Sequence, residues 1–249
     1  MIIKDIYNFI DKIAPFSVIY GNDNVGLIAG SLNEQTGAVL IVLDLTDETI
    51  NKAEKIGAKL VITHHPPIYK PMTRVFSNSS VYKAARAGLT VISAHTNLDI
   101  ASGGVNDTLC DKLGFAPVIN FADGCGRLYV PDIPLGIKEL VASIKDKLSS
   151  RSVEYLKERN ECKKIAIICG GGGEFFRKVA DEGADTFLTG EVPYHIMLEA
   201  HREGINLICA GHFYTENVIC EDMRDRLSGE FPELRVETSK WEPDVKIIK

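Results

Sequence analysis

Lys59-Leu60-Val61-Ile62-Thr63-His64-His65-Pro66-Pro67 is a short apolar run that ends in two adjacent histidines and two prolines. A β-branched run of this length after Gly57 reads as a buried strand. Pro66 and Pro67 remove backbone donors and stop the ladder, so both imidazoles belong at the strand's carboxyl end. That edge is where open α/β sheets place their ligands. Consecutive residues of an extended chain point to opposite sides, so the pair is expected to offer one imidazole to each of two neighbouring metal ions.

Working outward, Ile3, Ile6, Tyr7, Ile10 and Ile13 recur at helical spacing, which predicts a first helix ending before Pro15. A polar loop, Tyr20-Gly21-Asn22-Asp23-Asn24-Val25-Gly26-Leu27, runs into a strand. Ala38 to Leu43 reads as a second strand, closed by Asp44, and Thr46 as the N-cap of a helix that Gly57 ends. A unit then recurs. Ala53-x-x-x-Gly57 leads to His65 as Ala200-x-x-x-Gly204 leads to His212, and Ala84-x-x-x-Gly88 and Gly183 precede two further apolar runs. Four helix–glycine–strand units predict an α/β protein of two similar halves related by duplication, residues 1–118 and 119–249, which could also intertwine as one unit; the plainer alternative is that helix–glycine–strand units recur in any α/β protein. Pro117 to Pro134 reads as an irregular crossover, 135–149 as a helix, 163–169 as a strand and Leu234 to Thr238 as an edge strand.

The chemistry-bearing residues gather at three predicted strand ends: His64-His65, Ala94-His95-Thr96-Asn97-Leu98-Asp99, and Gly211-His212-Phe213-Tyr214-Thr215-Glu216. Imidazoles and carboxylates together suit zinc, manganese or iron. His212 and Glu216 are four apart where a strand turns into a helix, so both can face one point. Two ions there would activate water and polarise a substrate oxygen or imine carbon; the plainer alternative is that these are separate loop residues. His95 suits a supporting role beside Asp99 or a proton-transfer role, and Glu191 and His195, four apart, suit a general acid/base pair. The turn Gly170 to Gly173 opens a helix and could cradle an anion, although no Gly-Lys-Ser/Thr follows to make it a P-loop.

Bulk properties narrow the classes. A chain of 249 residues with 45% hydrophobic and 25% charged residues is an ordinary globular protein, and its net charge of −6 argues against general nucleic-acid binding. Six cysteines are scattered without a CxxC pair, as in a reduced, cytoplasmic protein. No apolar run is long enough for a bilayer, and the first residues do not resemble a signal peptide. The lack of a GxSxG elbow leaves nucleophilic catalysis little support.

Ile62-Thr63-His64-His65-Pro66, Ser93-Ala94-His95-Thr96-Asn97-Leu98-Asp99, Gly103-Gly104-Val105-Asn106-Asp107, Thr189-Gly190-Glu191 and Ala210-Gly211-His212-Phe213-Tyr214-Thr215-Glu216 together resemble the Nif-three-like proteins, whose members often carry the label GTP cyclohydrolase 1 type 2 homologue. The loop Asp23-Asn24-Val25-Gly26-Leu27 fits as well, with Asn22 where members commonly have Trp. The resemblance implies a dinuclear metal site between the two halves, with His64, His65, Asp99, His212 and Glu216 at the ligand positions and two divalent ions per subunit. It also implies a ring-shaped homo-oligomer, commonly a hexamer, and a metal-dependent hydrolase of a nucleotide or related phosphorylated small molecule. If the cyclohydrolase label applies, water attacks C8 of guanine and formate leaves. The alternative is a non-catalytic metal-binding scaffold or metal-handling protein.

Overall fold

The computed structural model describes residues 1–246. They form two compact units, Met1–Asn97 with the segment from Cys220 onward, and Leu98–Ile219. The first unit begins with α1 (Ile3–Ile13), β1 (Gly26–Ala29), β2 (Ala38–Val42), α2 (Asp47–Ile56), β3 (Leu60–Thr63), α3 (Ser80–Arg86) and β4 (Thr90–Ser93). After α4 (Thr96–Ile100) come α5 (Val105–Leu113), β5 (Val118–Phe121), β6 (Gly126–Tyr129), β7 (Leu135–Gly136), α6 (Ile137–Leu148), β8 (Glu154–Leu156) and β9 (Glu161–Cys162). The second unit continues with β10 (Ile165–Ile167), α7 (Phe176–Asp181), β11 (Thr186–Thr189), α8 (Tyr194–Glu203), β12 (Asn206–Cys209) and α9 (His212–Glu216). The last described elements are α10 (Val218–Glu230) and β13 (Arg235–Ser239).

In the first unit five strands lie in the order β1-β4-β3-β2-β13, parallel except for the antiparallel pair β1 and β4. Leu40, Val42, Ile50, Ala53, Val61, Ala84, Leu89 and Val91 close one core between this sheet and its helices. Every residue of β2, β3 and β4 is buried, which is why these strands read as unbroken apolar runs. Thr46 caps α2 by accepting from the Thr49 amide, and Gly57 ends that helix at φ +73°. Gly88, Gly183 and Gly204 repeat the left-handed conformation at φ +65°, +67° and +64°, so each glycine of the recurring unit turns the chain into the following strand.

In the second unit β5-β6-β10-β11-β12-β8 form a six-stranded sheet with a parallel centre, β10-β11-β12, and antiparallel flanks. The stretch expected to be an irregular crossover is instead an antiparallel hairpin of β5 and β6. Gly124 at φ +90° makes its turn. The units also divide the chain differently from consecutive halves split at residue 118. The reason is the long-range pairing of β13 with β2, from Arg235 against Ala38 to Ser239 against Val42, which returns the C-terminal segment to the first sheet.

Candidate metal centre

In the first unit the parallel register sets Thr63 beside Ser93, so His64-His65 and Ala94-His95 leave the sheet at one edge. The ladder continues past the strands: the Ala94 amide donates to Thr63 O (2.9 Å), His64 N to Val42 O (3.1 Å) and His65 N to Leu43 O (3.0 Å). β3 itself ends at Thr63, so the strict alternation of a pleated strand is not imposed on the two residues beyond it. The two histidine rings therefore do not diverge as expected from an extended pair. Their centroids lie 5.2 Å apart, and His95 joins them at 5.1 Å from His64 and 5.6 Å from His65. One ligand atom from each of the three lies within 4.8 Å of the other two.

Each ring is pinned through the same nitrogen. Nδ1 of His64 donates to Ala94 O (2.8 Å), Nδ1 of His65 to Asp44 Oδ1 (2.8 Å) and Nδ1 of His95 to Asp23 Oδ2 (2.9 Å). These partners assign the proton to Nδ1 and the lone pair to Nε2 in the neutral rings. An oxygen acceptor behind the far nitrogen is the usual setting of a metal-binding imidazole, because it fixes tautomer and ring plane together. Asp23 is itself held by the Thr96 amide (3.0 Å) and hydroxyl (2.6 Å). Burial alone would raise its pKa, but the hydrogen bonds from His95 and Thr96 outweigh it and hold the carboxyl well below the ordinary range.

In the second unit β11 and β12 run parallel, and the Gly211 amide donates to Gly190 O (2.9 Å), so Glu191 and His212 emerge side by side. Nδ1 of His212 donates to Glu191 Oε1 at 3.0 Å. Its Nε2 lies 3.0 Å from Glu216 Oε2, one helical turn further on. A neutral imidazole has one N–H, so a carboxylate at each nitrogen calls for a second proton or a cation between Nε2 and Glu216. Asp99 accepts from the Cys169 thiol (3.4 Å), and Asn106 ties the two segments by donating to Asp99 O (3.2 Å) and accepting from the Cys169 amide (2.9 Å). Burial, then the neighbouring charges of Asp99 and Glu216, push the Cys169 thiol well above its ordinary value.

A donor set of imidazoles and buried carboxylate fits a divalent ion of the zinc, iron or manganese type. The backbone is shaped to match. Gly170 sits at φ +58°, where a Cβ would come 1.9 Å from Glu216 Oε1 and 3.1 Å from His212 Nε2. Only a bare α-carbon leaves these two side chains their place.

The other expected sites fare differently. His195 is exposed on α8 and, among the described residues, makes no hydrogen bond to Glu191, whose carboxylate is turned to His212. Two of the four amides of the glycine turn are spent inside the protein, Gly170 N on Thr215 Oγ1 and Gly172 N on Thr189 Oγ1, both at 3.0 Å, and neither can serve an anion. Asp23, Asp44 and Asn106 stayed outside the ligand constellation read from sequence. Asp44 was the most accessible of them, since it ends the strand next to β3.

The Duf34/NIF3 (NGG1p interacting factor 3) family model matches residues 1–244. The chain belongs to the DUF34/NIF3 family. A relative in Clostridium perfringens, named GTP cyclohydrolase 1 type 2 homolog, is 33% identical over 247 residues, covering 92% of this chain and 94% of that protein. Among solved structures, the Staphylococcus aureus hypothetical protein SA1388 matches with a TM-score of 0.91 at 28% identity, covering 99% of both chains. Reduced HcgD from Methanocaldococcus jannaschii matches at 0.84 and 28%, covering 96% of this chain and 97% of that one. Membership agrees with the mixed α/β architecture, and the His/Glu groups of this DUF34/NIF3 chain are able to hold a metal.

Proposed function

We propose that this protein binds two divalent ions per subunit, zinc, iron or manganese, through His64, His65, Asp99, His212 and Glu216 contributed by both units, and hydrolyses a nucleotide or related phosphorylated small molecule. The recurrence of the helix–glycine–strand unit supports reading the two units as products of duplication that share one site. The observation that carries the proposal is the pinning of His64, His65 and His212, each through Nδ1 to an oxygen. Divalent ions held there supply Lewis acidity that makes water a nucleophile at neutral pH. The chain's own part is orientation: Ala94 O, Asp44 and Glu191 hold the ring planes. Of the proton-transfer candidates, Glu191 both touches a ligand imidazole and keeps its side chain 66% exposed, so proton transfer is assigned to it rather than to His195. We take the working form to be a cytoplasmic ring-shaped homo-oligomer, a hexamer.

The lack of a hydrogen bond between Glu191 and His195 among the described residues favours a second reading, a non-catalytic metal-binding scaffold or metal-handling protein. Two measurements decide. Element-resolved metal content should give about two equivalents in the wild type and about one or none in His64→Ala; equal content in both would remove the site. A panel of nucleotides and phosphoesters, GTP included, should show turnover by metal-loaded protein that His65→Ala abolishes. Tight metal without turnover on the panel would leave the scaffold reading in possession.

A further inference from the structure

We propose that Asp23 is a positioning residue that makes His95 a third imidazole ligand alongside His64 and His65, so that the first unit carries a tris-imidazole metal pocket. The inference rests on the metal-binding reading above and extends it to two residues outside the five-residue ligand set.

Three independent observations converge on it. The first is proximity: the His95 ring lies 5.1 Å from His64 and 5.6 Å from His65, against 5.2 Å between those two, and the three offer ligand atoms mutually within 4.8 Å. The second is that His95 is pinned as its neighbours are, with Nδ1 on an oxygen acceptor, here both carboxylate oxygens of Asp23 at 2.9 and 3.0 Å. A ring serving only as a strand-end filler has no need to match the tautomer of two others across a shared space.

The third is how firmly Asp23 is fixed. Its side chain is 5% exposed, and it gathers donors from the Thr96 amide, the Thr96 hydroxyl and the Asn24 amide besides His95. The Tyr20 amide in turn donates to Thr96 Oγ1 (3.1 Å), tying both ends of the Asp23 loop to the turn after β4. On the other side of His95, its own amide donates to Asn97 Oδ1 (2.9 Å), and Asn97 Nδ2 donates to Ala14 O (2.7 Å). Ring and backbone of His95 are both held, from elements on two sides. An oriented carboxylate behind Nδ1 raises the basicity of Nε2 and lowers the cost of ordering the ring when a cation binds. A proton-shuttling histidine would gain nothing from having two further imidazoles aimed into the same small space.

Cobalt(II) titration of the full-length protein tests this, because the d–d absorption band reports ligand number and type without any turnover. The wild type is expected to bind Co2+ with the intense visible absorption of a low-coordinate, nitrogen-rich site. Asp23→Asn keeps the side chain's size and is expected to weaken binding at that site by about 10–100-fold, the usual effect of losing the group behind a ligand histidine. His95→Gln is expected to shift and weaken the band outright. Because Asp23 is buried, circular dichroism and the thermal midpoint of each metal-free variant are compared with wild type, and His95→Gln serves if Asp23→Asn does not fold. Folded variants with wild-type Co2+ affinity and spectrum would overturn the inference and leave the five-ligand site intact. A wild type that binds no Co2+ would overturn both.

Discussion

The α-carbon of Gly170 lies against the carboxylate of Glu216, so close that an added Cβ would fall 1.9 Å from Oε1. Gly170→Ala must therefore both leave φ +58° and displace a candidate ligand. Strain of this backbone kind costs on the order of 1–3 kcal/mol, and under the proposed two-ion site the displaced carboxylate should lower the metal content by about one equivalent. Thermal unfolding and metal content are measured together. Unchanged metal content in a folded Gly170→Ala protein would show that Glu216 is not a ligand.

Glu191 and His195 are separable by metal binding. Glu191 accepts from His212, so Glu191→Ala should weaken metal binding by about 10–100-fold, while His195→Ala, exposed on α8, should leave it at the wild-type value. Competition with a chromophoric chelator reads both. Equal losses in the two variants would restore the acid/base pair expected from their spacing.

Arg127 is completely buried and is neutralised by Asp107, which accepts from its Nε and, at 3.0 Å, from Nη2; Gly124 O accepts from Nη1 at 2.7 Å. Removing one partner of such a pair leaves a buried charge, so Asp107→Ala should destabilise the protein by about 3 kcal/mol. Urea unfolding of the metal-free protein measures it. A loss under about 0.5 kcal/mol, the scatter of neutral surface changes, would mean the pair adds nothing.

The same carboxyl predicts an acid limb. Burial of Asp107 would raise its pKa, but hydrogen bonds from Arg127 and Gly103 bring it below its ordinary 3.8. A group lowered on folding contributes stability above its unfolded value and loses it as pH falls toward the folded one. Metal-free wild type should thus lose more stability than Asp107→Asn below about pH 4. Parallel curves for the two proteins would exclude Asp107 as a source of the acid limb.

All six cysteines are buried, and burial raises Cys110 to about 12 and Cys125 and Cys209 to about 11. Iodoacetamide at pH 8 should label the native protein at least about tenfold more slowly than the urea-unfolded one, since the thiolate is the nucleophile. Intact mass follows the course. Rapid labelling of any native thiol would identify an accessible thiolate.

Much of the fold was legible along the chain because its signals are local. Ile3, Ile6 and Ile10 face one side of α1, Thr46 caps α2, and Gly57, Gly88, Gly183 and Gly204 take the left-handed turn that only glycine adopts without strain. The hairpin of β5 and β6 was missed because β5 is largely exposed and carries no clean alternation, as at Ile119 and Asn120.

His64, His65, Asp99, His212 and Glu216 could be named as candidate ligands from sequence because strand ends and helix starts are properties of neighbouring residues, and the family resemblance that implies this set rests on those same stretches. The chain order did not say which ends would meet. Parallel register set His95 beside His64, strand pairing returned β13 to β2, and ring direction matched His65 to Asp44, His95 to Asp23 and His212 to Glu191. These depend on which backbones hydrogen-bond across tens of residues, and on where each side chain points once they do. No run of neighbouring residues encodes either.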